Sequence, residues 1–146
     1  MKNTEIINLY IDILRILESR FRNKAGKDFD RIFRKCKESL PFQSKEILQP
    51  LKLTNEKSIN LEEIYGGLPV NGLAAESRLL LVASFNQLTF LLLMEMKEKY
   101  GIEYAEEGLH DMIGLLDSYE LIRLDKVTVD YLKGNLNDFL NQLKTP

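Results

Sequence analysis

The sequence predicts an all-α protein, mainly a helical bundle around a buried central helix at about residues 74–100. Three observations predict it. Apolar residues recur at spacings of three and four through most of the chain, glycine and proline fall where those periodic runs stop, and LLLVASFNQLTFLLLM, Leu79 to Met94, holds 16 consecutive residues without a charge. A chain of 146 residues fits a single helical domain, 1–146, and is long enough to bury roughly 68–70% of the surface its unfolded form exposes. Its 45% apolar and 29% charged content is that of a globular protein, which excludes the disordered, collagen-like and disulfide-scaffold classes.

The uncharged run decides the architecture. At about 1.5 Å per residue it reaches roughly 24 Å, short of the roughly 30 Å of a bilayer's hydrocarbon, so no membrane association is expected. Ser84, Asn86, Gln87 and Thr89 are spread around the helix by the 100° step, and leucines point in every direction. Such a helix needs cover from its own protein or from a second copy. Asn86 and Gln87 then need bonded neighbours, because an unpaired buried amide costs about 1–3 kcal/mol.

Thr4 can cap a first helix carrying Ile6, Leu9, Tyr10, Ile13, Leu14, Leu17 and Phe21, stopped by Gly26. Asp28 can cap a second, with Phe29, Ile32, Phe33, Cys36 and Leu40 on one stripe, ended by Pro41. Two short helices are expected in 42–72: one following Ser44, the other following Asn60, where Glu63 completes a capping box and Gly66 and Gly67 end it. Pro69 and Asn71-Gly72 form a turn before the central helix, which Gly101 ends. The next helix places Ile102, Ala105, Leu109, Met112, Ile113 and Leu116 on one stripe, where Gly108 and Gly114 allow close packing. Residues 121–131 fit a helix and a small β-hairpin equally, because Val127, Val129 and Tyr131 alternate as strand residues do. Asn135 can cap a short closing helix with Leu136, Phe139, Leu140 and Leu143.

A shift of 75 residues aligns the helix–glycine–helix order of the two halves, placing Gly26 on Gly101 and Asn60 on Asn135, and so suggests pseudo-repeats 1–68 and 76–143. The single cysteine, Cys36, forbids an internal disulfide. It fits a reducing, cytoplasmic compartment. Near the N-terminus Asn8, Asp12 and Arg15 break what would otherwise be a signal-peptide core.

Charge is uneven. Residues 1–60 hold 13 basic and 8 acidic side chains, and the remainder hold 7 and 14. The basic residues concentrate as Arg20, Arg22, Lys24, Lys27, Arg31, Arg34, Lys35 and Lys37, a patch for nucleic acid or an acidic partner. The preferred reading is a solvated face drawn to an acidic partner, the acidic second half of the same chain or a second copy, because no aromatic residues are interleaved for base stacking. The helix followed by residues 120–132 has the rhythm of a winged helix, but its Glu106, Glu107, Asp111 and Asp117 would repel phosphates, so a wing would serve dimerisation.

Catalytic signals are weak. Glu107 and His110 have the Glu-x-x-His spacing of di-iron bundles, but His110 is the only histidine and a second such pair is impossible. Cys36, on an apolar stripe, reads as an inert core thiol. Tyr65-Gly-Gly-Leu-Pro lacks the spaced glycines and Lys-Ser/Thr ending of a phosphate loop. No catalytic residue, metal or cofactor is therefore assigned. The expected function is a non-enzymatic helical interaction or regulatory module that contacts a protein partner, as a homodimer. Nucleic-acid binding through Arg20–Lys37 is the alternative, and a small-ligand sensor using Phe85, Asn86, Phe90 and Tyr104 at a pocket or interface is a third reading.

Overall fold

The first helix, α1 (Asn3–Ala25), begins one residue ahead of the expected cap at Thr4. Leu9, Tyr10, Ile13, Leu14, Leu17 and Phe21, read from the spacing, are all at most 1% exposed, Ile11 is buried beside them, and the side chain of Ile6 lies outside the described residues. This is a computed structural model, and it describes residues 3–48, 75–122 and 126–145. Gly26 leaves α1 with a positive φ of 57°, a conformation that costs a residue with a Cβ about 1–2 kcal/mol. A 3-10 turn, Gly26–Asp28, leads directly into α2 (Phe29–Glu38).

Asp28 does not cap α2. Its backbone is already helical and its side chain makes no capping bond, because the preceding 3-10 turn supplies a continuous winding instead. Phe29, Ile32, Phe33 and Cys36 are buried along one face, and the Phe29 ring lies 5.5 Å from that of Phe21 and 5.7 Å from that of Phe33. Beyond Pro41 comes α3 (Phe42–Leu48), which starts two residues before Ser44. The Pro41 carbonyl accepts the Lys45 amide at 2.8 Å, so Ser44 stands inside the first turn and turns inward.

The central helix, α4 (Ala75–Tyr100), has the expected length, and Gly101, at φ 95°, ends it. From residue 82 onward Val82, Ser84, Phe85, Leu88, Thr89, Leu92, Leu93 and Met96 are buried. The shelter is less than a full wrap: Ala83 and Gln87 are exposed, and Phe90, Leu91 and Met94 on the same side are half-buried. The open strip begins with a small and a polar residue, which lose little by facing water.

Two further helices follow, α5 (Ile102–Ile122) and α6 (Lys126–Lys144), packed against each other. The hairpin alternative for 121–131 is thereby corrected, and with it the wing of a winged helix: residues 126–131 are the first turns of α6, and no strand occurs among the described residues. Three alternating residues are too short a signal to outweigh a stripe that continues in helical register through Leu132, Leu136 and Leu143, each at most 2% exposed. Asn135 accordingly stands in mid-helix and caps nothing. Gly108 is buried as close packing requires, but Gly114 is exposed with open space where a Cβ would be. Lys133 pairs with Asp117 across α5 and α6, and Lys97 donates to the Thr145 carbonyl at 3.1 Å.

The chain divides into two compact units, Lys2–Leu92 and Leu93–Pro146, with α4 contributing to both. The expected short helix after Asn60 and the turn at Pro69 and Asn71-Gly72 lie outside the described residues. Among the described residues no helix is long and apolar enough to cross a membrane.

Gly101 offers a test of the helix stop. A Cβ there would meet nothing within 4 Å, so only the backbone conformation resists substitution. Gly101→Ala is expected to lower stability by about 1–2 kcal/mol in urea denaturation, whereas Gly114→Ala, at an exposed helical position, should raise it by about 0.5–1 kcal/mol.

Candidate functional site

The two amides in mid-helix have partners within the Lys2–Leu92 unit. Tyr10, on the buried face of α1, donates its hydroxyl to Asn86 Oδ1 at 2.5 Å, and its ring stacks on Phe85 at 4.9 Å between centroids and 9° between planes. Ser44 of α3 donates to Gln87 Oε1 at 2.8 Å while accepting from Ser84 Oγ at 3.0 Å. Thr89 returns its hydroxyl to the Phe85 carbonyl at 2.8 Å. Phe85 and Asn86 are therefore occupied in holding α4, and Phe90 is half-buried one turn on. Tyr104 belongs to the other unit, where it meets Tyr100 edge-on at 5.8 Å.

Orientation of α3 follows from this arrangement. Successive helical residues turn by about 100°, so with Ser44 and Leu48 buried, Phe42 must project from the opposite side. It is 73% exposed, the one large apolar side chain so exposed among the described residues. Beside it lies a groove of about 500 Å³, lined by Arg34, Lys37 and Glu38 from α2 and by Phe42, Lys45 and Glu46 from α3. An apolar ring set among three cations and two carboxylates can take an apolar contact at its centre and polar contacts at its edge. Among the described residues that line it there is no nucleophile paired with a base.

The basic patch is divided by its geometry. Arg22 turns to the protein, donating to Glu18 at 3.2 Å and Asp30 at 3.4 Å, with its guanidinium 5.1 Å from the Phe29 ring centre. Lys37 Nζ stands 6.0 Å from the Phe33 ring centre. Arg31 pairs with Asp28 at 3.8 Å, both well exposed, a contact of little energetic value. Arg20 is half-buried, and Lys24, Arg34 and Lys35 are exposed. The side chain of Lys27 lies outside the described residues. What reaches solvent is thus Lys24 at the end of α1 and a shorter strip along α2, joined to the groove at Arg34 and Lys37.

Cys36 is buried at 3% exposure on the apolar stripe of α2. His110 and Glu107 face solvent on α5, and no three His, Cys, Asp or Glu among the described residues are grouped as metal ligands. The glycine stretch after Tyr65 is outside the described residues.

Sequence reasoning found Arg34 and Lys37 but missed Phe42, Lys45 and Glu46. The signal was present in Pro41-Phe42-Gln43-Ser44: placing the helix start at the proline, and not at the serine, turns Phe42 outward. Comparison of the chain with protein-family models, curated proteins and solved structures yields no match.

The division of the patch has a measurable consequence. Glu18 has a side chain only 9% exposed, and removing Arg22 takes from it a charged hydrogen-bond donor and from the Phe29 ring its guanidinium. Arg22→Met is expected to cost about 1–3 kcal/mol of stability in urea denaturation, and Arg34→Met, at an exposed site, to stay within about 0.5 kcal/mol.

Proposed function

We propose that the protein is a non-enzymatic helical interaction module that works through protein–protein contact at the α2–α3 face, and that it self-associates. The observation carrying this reading is Phe42: a ring 73% exposed beside a groove with a charged rim. Interface centres favour aromatic residues, ringed by polar and charged groups, and full burial of a Phe side chain is worth about 1.5–3 kcal/mol. The half-buried strip of Phe90, Leu91 and Met94 on α4 adds apolar surface available to a partner.

Nucleic-acid binding through Arg20–Lys37 is less well supported. Arg22 is committed to Glu18 and Asp30, and Glu38 and Glu46 line the groove at the end of the patch, where a phosphate backbone would meet like charge.

Sedimentation velocity across a concentration series tests the reading. Dimer is expected to accumulate by high micromolar concentration, and Phe42→Ser should weaken it at least tenfold while leaving the circular dichroism spectrum unchanged. A protein that remains monomeric throughout, or one showing only a salt-sensitive shift with DNA or RNA, would displace this reading.

A further inference from the structure

We propose that the groove between α2 and α3 receives the acidic face of α5 from a second copy of the chain. This rests on the interaction-module reading and names the partner. α5 carries six acidic residues and no lysine or arginine. Of these, Glu103, Glu107, Asp111 and Asp117 are exposed. At about 100° per residue they fall within an arc of roughly 120°, and the stripe extends about 21 Å along the helix. Asp117 is paired with Lys133 of α6, so Glu103, Glu107 and Asp111 carry most of the charge of this acidic face.

The opposite sign lies on the other unit. Arg34, Lys37 and Lys45 line the groove, and exposed Arg31 and Lys35 continue it along α2. Charges of this kind steer encounter and fix register between partners. Glu38 and Glu46 in the same groove disfavour a continuous polyanion, but they are compatible with a helix whose acidic residues are interrupted by exposed His110 and Gly114. Gly114 gives the Phe42 ring a place to lie. It is exposed in mid-stripe with open space where a side chain would begin, leaving bare helix surface between Asp111 and Asp117. Every copy carries both faces, so association needs no other protein.

Sedimentation velocity with two charge-reversed proteins tests this, one carrying Arg34→Glu with Lys45→Glu and the other Glu107→Lys with Asp111→Lys. Each alone is expected to self-associate at least tenfold more weakly than the wild type, an equimolar mixture to recover association, and the wild-type dimer to weaken about tenfold between roughly 50 and 500 mM salt. A second measurement does not depend on the variants folding. Carbodiimide treatment of mixed isotope-labelled and unlabelled wild type should join Lys37 or Lys45 of one copy to an acidic residue of α5 in another. A wild-type dimer that ignores salt, persists in both variants and gives no such cross-link overturns the α5 assignment while leaving the interaction-module reading in place. A monomeric wild type overturns both.

Discussion

The uncharged, leucine-rich run of α4, residues 79–94, is held in its orientation by a few side-chain hydrogen bonds. Rotating α4 by one residue would bring Asn86 into the buried place of Phe85, or Gln87 into that of Leu88. The polar groups distinguish these rotations strongly. With Tyr10 on Asn86, and Ser44 joined to both Ser84 and Gln87, α1 and α3 hold both amides and the Ser84 hydroxyl of this part of α4, while the Thr89 hydroxyl bonds its own helix. A one-residue rotation in either direction would carry one amide into a fully buried place away from its partner, at about 1–3 kcal/mol for an unpaired group. Each bond adds only about 1 kcal/mol of net stability, but the penalty for breaking them in a wrong register is larger than the gain for making them.

That choice of register propagates outward. Ser44 must point to α4 to make its bonds, and a serine directed inward at that position of a seven-residue helix puts Phe42 on the outside. The groove beside Phe42 is therefore a consequence of the polar contacts at the core, not an independent surface feature. Arg34 and Lys37 reach it from α2, whose own rotation is set by Phe29, Ile32, Phe33 and Cys36 facing inward. In this account an interior network of hydroxyls and amides positions the residues with which the proposed function is carried out.

Much of the fold was legible from the residues. The stripes of α1 and α2 follow from apolar spacing, and the stops at Gly26 and Gly101 from the positive φ that glycine tolerates. The need for a partner at half-buried Asn86 was readable too, though not its identity, because Tyr10 is far away in sequence; Gln87, expected to be buried, is exposed and bonds Ser44 at the edge of the contact. Helix starts were read less well. Thr4, Asp28, Ser44 and Asn135 fit caps by residue type, but all four stand within continuous helical winding, since a short polar side chain is permitted inside a helix as well as before one. The strand-like alternation at Val127, Val129 and Tyr131 yielded to the longer helical period around it. Of the candidate site, Arg34 and Lys37 were visible within a charge run, whereas Lys45, Glu46 and the apolar centre depended on where α3 begins, a matter of two residues that reverses the side Phe42 faces.

The central claim, that side-chain hydrogen bonds fix the register of α4, is tested most directly by a double-mutant cycle on the bond between α1 and α4. Tyr10→Phe and Asn86→Ala are made singly and together, and stability is measured by urea denaturation. The account predicts that the two changes are coupled by about 1 kcal/mol, the double mutant losing less than the sum of the singles. Strict additivity, within about 0.3 kcal/mol, would mean that the tyrosine and the amide do not act on one another and that something else orients the helix.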